Sequence, residues 1–141
     1  MTIVVGYSPS GQGRAALRAA VRYAERTGEA LAIASHQYRD SERGVTAATD
    51  AEVRAELASI GAGDVEVTVH ACSQVDIGEV ILETVEKVDA SLVVIGLRRK
   101  PPIGKLNLGA SARRVVLGAP CPVLAVKDDH TATGEVPATP F

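Results

Sequence analysis

A chain of 141 residues has the length of one domain and can bury one core. Its 15 Lys and Arg against 17 Asp and Glu leave a formal charge of -2, without the basic excess that non-specific nucleic-acid binding needs. With no Trp, one Phe and three Tyr, it also lacks an aromatic platform for stacking single-stranded bases. No apolar run approaches the roughly 20 residues of a membrane span. The opening MTIVVGYSPS enters a β-like segment directly, without the charged start of a signal peptide. Cys72 and Cys121 are too far apart for a CxxC pair, and the expectation is a cytoplasmic protein with reduced thiols.

Thr2, Ile3, Val4 and Val5 form a continuous β-branched run, and a Gly/Ser/Pro stretch follows over residues 6–13. Residues 14–26 turn helical, with Leu17, Ala20, Val21 and Ala24 on one face, and Gly28 stops the helix. Residues 30–34 read as a second buried strand and residues 36–44 as a polar loop. The spacing predicts a helix over 45–60 with Val53, Leu57 and Ile60 inward, ended by Gly61 and Gly63. Val65, Val67 and Val69 alternate with polar residues as in a half-exposed strand. Residues 77–88 are helical, with Ile77, Val80, Ile81, Val85 and Val88 in one stripe, and residues 92–95 are the clearest buried strand. A Gly/Pro/basic loop over 96–108, a short helix over 110–117 and a last strand over 122–126 complete the pattern, and a polar tail is expected over 128–141. Five strands alternating with four helices call for a parallel sheet covered on both faces, with ligands beyond the carboxyl ends at the point where strand order reverses.

Two loops are rich in Gly and would line one crevice if the strands before them are neighbours. The second reads Gly96-Leu-Arg-Arg-Lys-Pro-Pro-Ile-Gly-Lys-Leu-Asn-Leu-Gly109-Ala-Ser111 and runs from a strand end to a helix N-terminus. Glycines let main-chain amides approach an anion, and a helix N-terminus supplies free N–H groups. Arg98, Arg99, Lys100 and Lys105 add four cations. Phosphate capture and a solvated basic loop stiffened by Pro101 and Pro102 both account for this segment. It is not a Walker A loop, because Leu106 follows Gly104-Lys105 and Arg99 stands where the first Gly would be. The first loop holds Gly11-Gln-Gly13-Arg-Ala-Ala16, but Ser8, Pro9 and Ser10 separate it from the strand and spoil a dinucleotide turn. It reads instead as a turn that starts the helix, with Ser10 as N-cap.

The segment from Leu92-Val-Val-Ile-Gly96 to Gly109, then Arg113-Arg-Val-Val-Leu-Gly-Ala-Pro-Cys-Pro-Val-Leu-Ala-Val-Lys127, resembles the universal stress protein family. So do Ile3-Val-Val-Gly6 and Arg14-Ala-Ala-Leu-Arg-Ala-Ala20, and the resemblance covers residues 2–127. It implies an α/β fold, a five-stranded parallel sheet in order 3-2-1-4-5 with helices on both faces, in a domain over 1–127 followed by a flexible tail over 128–141. It also implies a site for ATP or AMP, with Mg2+ only as the nucleotide brings it. The family's phosphate motif places a glycine, two residues, a glycine, nine residues, a glycine and a hydroxyl residue. Its first and last glycines fall on Gly96 and Gly109, its middle glycine on Arg99 and its hydroxyl on Ala110, with Ser111 one residue later and Gly104 an extra glycine within the loop. Arg99 either blocks the phosphate or binds it. The acid that contacts the nucleoside after strand one is here Ser8. The nucleotide set is therefore Ser8, Gly96, Arg98, Arg99, Gly104, Lys105, Gly109, Ala110 and Ser111. The resemblance also implies a homodimer through Val123, Leu124, Ala125 and Val126, an apolar edge that a second copy would cover.

Other reactive side chains have plainer readings. His70 and Cys72 share a strand face, but two metal ligands without a third favour an exposed pair. Cys121, between two prolines, reads as a buried structural thiol, and His36 ends strand two where it could face the crevice. No nucleophile, base and orienter form a set. The expectation is a stress-response regulator that binds nucleotide and an unidentified protein partner, without membrane or nucleic-acid binding. The alternatives are a slow ATP-hydrolysing enzyme and an interaction module with a vestigial pocket.

Overall fold

The computed structural model describes residues 1–71, 76–97 and 109–127. Strand β1 (Thr2–Tyr7) leads into helix α1 (Gly11–Thr27), and β2 (Ala30–Ser35) follows. A hairpin of β3 (Gln37–Asp40) and β4 (Gly44–Ala47) precedes α2 (Asp50–Ile60) and β5 (Val67–Ala71). Then come α3 (Ile77–Val88), β6 (Ala90–Leu97), α4 (Ala110–Gly118) and β7 (Val123–Lys127). The main sheet has five strands in order β5-β2-β1-β6-β7, each neighbouring pair parallel. With the hairpin strands set aside, this is the 3-2-1-4-5 order expected.

The alternation of side chains along each strand divides the core in two. Ile3, Val5, Leu31, Ile33 and Val94 pack on one face beneath α1 and α2, with Leu17, Val21, Val53 and Leu57 from the helices. Val4, Ala32, Val93 and Ile95 pack on the other face beneath α3 and α4, with Val80, Ile81, Val85 and Val115. Residues one apart on a strand point to opposite faces, so strands covered on both sides must be apolar throughout. The helical stripes read from the sequence face the core, with Ile60, Ile77 and Val88 only partly buried.

Four boundaries differ from expectation. Helix α1 begins at Gly11, three residues early, because the Ser10 hydroxyl accepts from the N–H of Gly13 at 3.1 Å and caps it. Gly11 and Gly13 are therefore helical rather than loop. The polar loop over 36–44 is mostly the β3–β4 hairpin, whose antiparallel register pairs Tyr38 with Thr46. The Asp40 carboxylate turns its corner by accepting from the N–H groups of Glu42 and Arg43 at 2.8 and 3.1 Å, and Gly44 takes φ 72°. The helix expected over 45–60 consequently starts at Asp50. Thr49 and Glu52 form a reciprocal capping box there, and Val45 is an exposed strand residue. Strand β6 continues to Leu97, so Gly96 lies within the sheet, opposite Val126, rather than at the start of a loop.

Candidate functional site

The strand order, not the strand direction, reverses between β1 and β6, with β1 pairing parallel to β2 on one side and to β6 on the other. α1 and α3 cross on opposite faces, so their connections part here and leave a crevice beyond the carboxyl ends. A cavity of about 140 Å³ lies in it. Gly6 and Ser8 from the end of β1, Gly96 from β6 and Ser111 from α4 all line it. The two stretches singled out in the sequence thus meet at one place. The floor is apolar, formed by Ile81, Ile95 and Val115.

Two glycines let the walls close. A Cβ on Gly96 would stand 2.1 Å from the main-chain oxygen of Gln12, and one on Gly13 would stand 2.0 Å from that of Ser8. The end of β6, the turn after β1 and the first turn of α1 are therefore packed main chain against main chain. Ser8 is 5% exposed and its hydroxyl lies 3.0 Å from that of Ser10. It belongs to the cap of α1 as well as to the cavity.

The start of α4 differs from those of the other helices. α1, α2 and α3 are capped by the side chains of Ser10, Thr49 and Asp76, whereas Gly109 caps α4 with no side-chain hydrogen bond. The first intrahelical bond there runs from the Arg113 N–H to the Gly109 oxygen at 3.0 Å. The N–H groups of Ala110, Ser111 and Ala112 therefore have no helical acceptor and carry the positive end of the helix dipole. A Cβ built on Gly109 would meet nothing within 4 Å among the described residues, and its φ of -63° suits any residue. Neither packing against the described residues nor backbone geometry requires glycine at this position. An anion approaching the amides would benefit from the space.

Ser8, Gly96 and Ser111 line the cavity, and Gly109 and Ala110 stand exposed at the start of α4. Arg98, Arg99, Gly104 and Lys105, with Lys100, lie outside the described residues, as do Cys72 and the tail over 128–141. His36, left out of the nucleotide set, lines the cavity, and burial pushes its pKa down. Its place directly after the apolar run of β2 was the signal for it. Gln12, Ile77 and Ala112 also line the cavity and carry no sequence signal beyond their helical pattern.

Other candidates do not form sites. Among the described residues no three His, Cys, Asp or Glu side chains gather as a metal would require. Cys121 is half-buried rather than buried, and burial raises its thiol pKa, away from nucleophilic character. A larger hollow of about 630 Å³ lies at the amino end of the sheet. Glu25, Glu29, Asp64 and Glu66 rim it near the C-terminal caps of α1 and α2, Gly28 and Gly61. Carboxylates and helix C-termini both repel an anion, so size does not make this the anion site. Among the described residues no helix is long and apolar enough to cross a membrane.

Comparison with known proteins agrees with this architecture. The sequence profile of the universal stress protein family matches residues 1–127. A universal stress protein of Mycolicibacterium smegmatis is 37% identical over 125 residues, spanning 89% of this chain and 96% of the relative. A universal stress protein of Archaeoglobus fulgidus superposes with a TM-score of 0.68 at 26% identity, over 90% of this chain and 98% of that one. Another structure from that organism, a complex with dAMP, superposes with a TM-score of 0.61 at 22% identity, over 90% of this chain and 98% of that one.

Proposed function

This chain belongs to the universal stress protein family, and we propose that it is a stress-response regulator that binds an adenine nucleotide, AMP or ATP, in the crevice between β1 and β6. One observation carries the reading: the N-terminus of α4, which no described side chain caps, contributes Ser111 and Ala112 to a cavity floored by isoleucine and valine. Free amides and a positive helix end suit phosphate, and an apolar floor suits the rest of a nucleotide. The dAMP complex of the A. fulgidus protein supports the same ligand class. The fit is to the phosphate and one adjoining part, because about 140 Å³ is below the roughly 300–1,000 Å³ that encloses a whole drug-sized ligand.

The phosphate would rest on the amides of Ala110 and Ser111, and the nucleoside would point across Gly6 toward His36. Among the described lining residues there is no carboxylate. Mg2+ prefers oxygen ligands and would come only with the phosphates of ATP. This arrangement supports binding over turnover, since among the described lining residues no nucleophile stands with a base and its orienter as a set. Bound nucleotide would change the surface that a protein partner meets, in proportion to its preference for one state. A cytoplasmic location and a polar tail over 128–141 complete this reading.

We propose further that two copies pair through β7. It is an edge strand with exposed Leu124 and Ala125 and half-buried Val123 and Val126. An apolar edge of this sort is a template for another strand. Calorimetric titration with AMP and ATP tests the nucleotide reading. Saturable heat is expected, and no heat at millimolar nucleotide would sink it. Native mass spectrometry of freshly purified protein reports copy number and retained nucleotide together.

A further inference from the structure

His36 is the one described lining residue of the cavity that titrates near neutral pH, and no described lining residue carries a permanent charge. It stands just beyond β2, where its N–H extends the parallel ladder to the Tyr7 oxygen at 3.1 Å. Its Cδ2 lies 3.8 Å from where a Cβ on Gly6 would be. Gly6 lies between ring and floor, since the same Cβ would stand 2.7 Å from the Ile81 Cδ1 tip. Nδ1 is 3.1 Å from the Gln37 carbonyl oxygen. A carbonyl only accepts, so Nδ1 carries the proton and Nε2 presents a bare lone pair. Among the described residues no hydrogen bond reaches Nε2.

Strand order sets the direction of a bound molecule. From β2 through β1 to β6, the cavity runs from His36 past Gly6 and Ser8 to the start of α4. An anion held at α4 leaves the uncharged end of its ligand at His36. We propose that His36 is a specificity residue: its neutral Nε2 accepts a hydrogen bond from a donor on the nucleoside part of the ligand, and ring protonation abolishes that contact. The inference rests on the nucleotide reading above and adds a residue, a tautomer and a pH dependence to it.

The surroundings keep the ring neutral. Burial lowers its pKa, and the Gln37 carbonyl opposes that only in part. β1 contributes Gly6 and Ser8, α3 Ile77 and Ile81, β6 Ile95 and Gly96, and α4 Ser111, Ala112 and Val115. No acid or base of these elements lines the cavity beside the ring. A ligand that requires the lone pair favours the neutral form further. By linkage, its affinity falls as pH falls through the His36 pKa.

The test is AMP titration of the wild type, His36→Gln and His36→Phe at pH 7.5 and 5.5. The AMP phosphate gains a proton across this range (its second pKa is about 6), which weakens binding to all three alike, so the ratios are read. His36→Phe is expected to bind about tenfold more weakly at pH 7.5, the loss of one hydrogen bond. His36→Gln keeps an acceptor and most of the affinity, and its affinity relative to the wild type should rise at pH 5.5. Wild-type binding with a pH-independent wild-type-to-Gln ratio and an unimpaired Phe variant would overturn the His36 assignment alone. No AMP binding by the wild type at either pH would overturn the nucleotide reading and this inference with it. Nitrogen NMR of the wild type gives a check free of variants. The His36 Nε2 shift should move on saturation with AMP while that of His70 stays put, and an unmoved His36 shift would refute the contact.

Discussion

The α-carbon of Gly96 lies against the main-chain carbonyl of Gln12 so closely that a methyl group added to it would stand 2.1 Å from the oxygen. Gly96 is a sheet residue of β6 and Gln12 lies in the first turn of α1, so this contact joins the two sides of the crevice. Gly96→Ala must push these main chains apart, because neither partner is a movable side-chain tip. Overpacking of this kind costs about 3 kcal/mol. A lower urea midpoint with unchanged slope would show it, and an unchanged midpoint would mean the two segments are not packed as described.

Gly109→Val is expected to separate stability from binding. The site has open space among the described residues and an ordinary φ, so the fold should lose only about 1 kcal/mol, the preference for Gly over Val at an N-cap. The valine side chain would stand at the entrance to the free amides of α4. Weakened AMP binding at near-wild-type thermal stability is the expected pair of results. Unchanged affinity would count against α4 as the phosphate seat.

Ser10→Ala removes the side-chain acceptor for the Gly13 N–H and the partner of the Ser8 hydroxyl. A lost N-cap costs about 1 kcal/mol. Denaturant titration should find that loss, and amide exchange should quicken first in the opening turn of α1.

Acid should destabilise the fold in a window set by histidine. Burial lowers the pKa of both His36 and His70 from an ordinary 6.5, with Lys87 adding to the effect at His70. The unfolded chain then binds more protons than the native one below about pH 6.5, so stability is full above that pH and falls as pH drops through the window. Asp40 and Glu52 have lowered pKa values and remain ionised in both states until more acidic pH. A melting temperature that declines between pH 7 and 5, with a shallower decline in His36→Gln, is the expected outcome in circular dichroism.

Pairing through β7 predicts a specific disruption. Ala125→Pro removes a main-chain donor at the edge, and Leu124→Lys places a charge there, both of which block strand addition. Sedimentation at micromolar concentration should show a dimer for the wild type and a monomer for the variants. A monomeric wild type would refute the pairing.

Much of the architecture was legible because it rests on local patterns. The stripe Leu17, Ala20, Val21, Ala24 and the run Leu92 to Ile95 state their period and burial directly. Ser10 was readable as a cap because its hydroxyl acts only three residues away. The β3–β4 hairpin was harder to see because its strands are polar and pack only partly, although the Thr49–Glu52 box already marked where the next helix begins.

By itself, the sequence determined the five strands of the main sheet, the four helices and the faces they bury, but not the polar β3–β4 hairpin, since hydrophobic periodicity and capping act over a few residues. Only the tertiary structure decided that Gly6, His36, Gly96 and Ser111 share one cavity, and that Gly96 serves a backbone contact while Gly109 stands open. Those facts depend on which strands lie side by side and how closely their main chains approach, and contacts between residues some 84 positions apart, as Gly96 and Gln12 are, leave no local periodic trace.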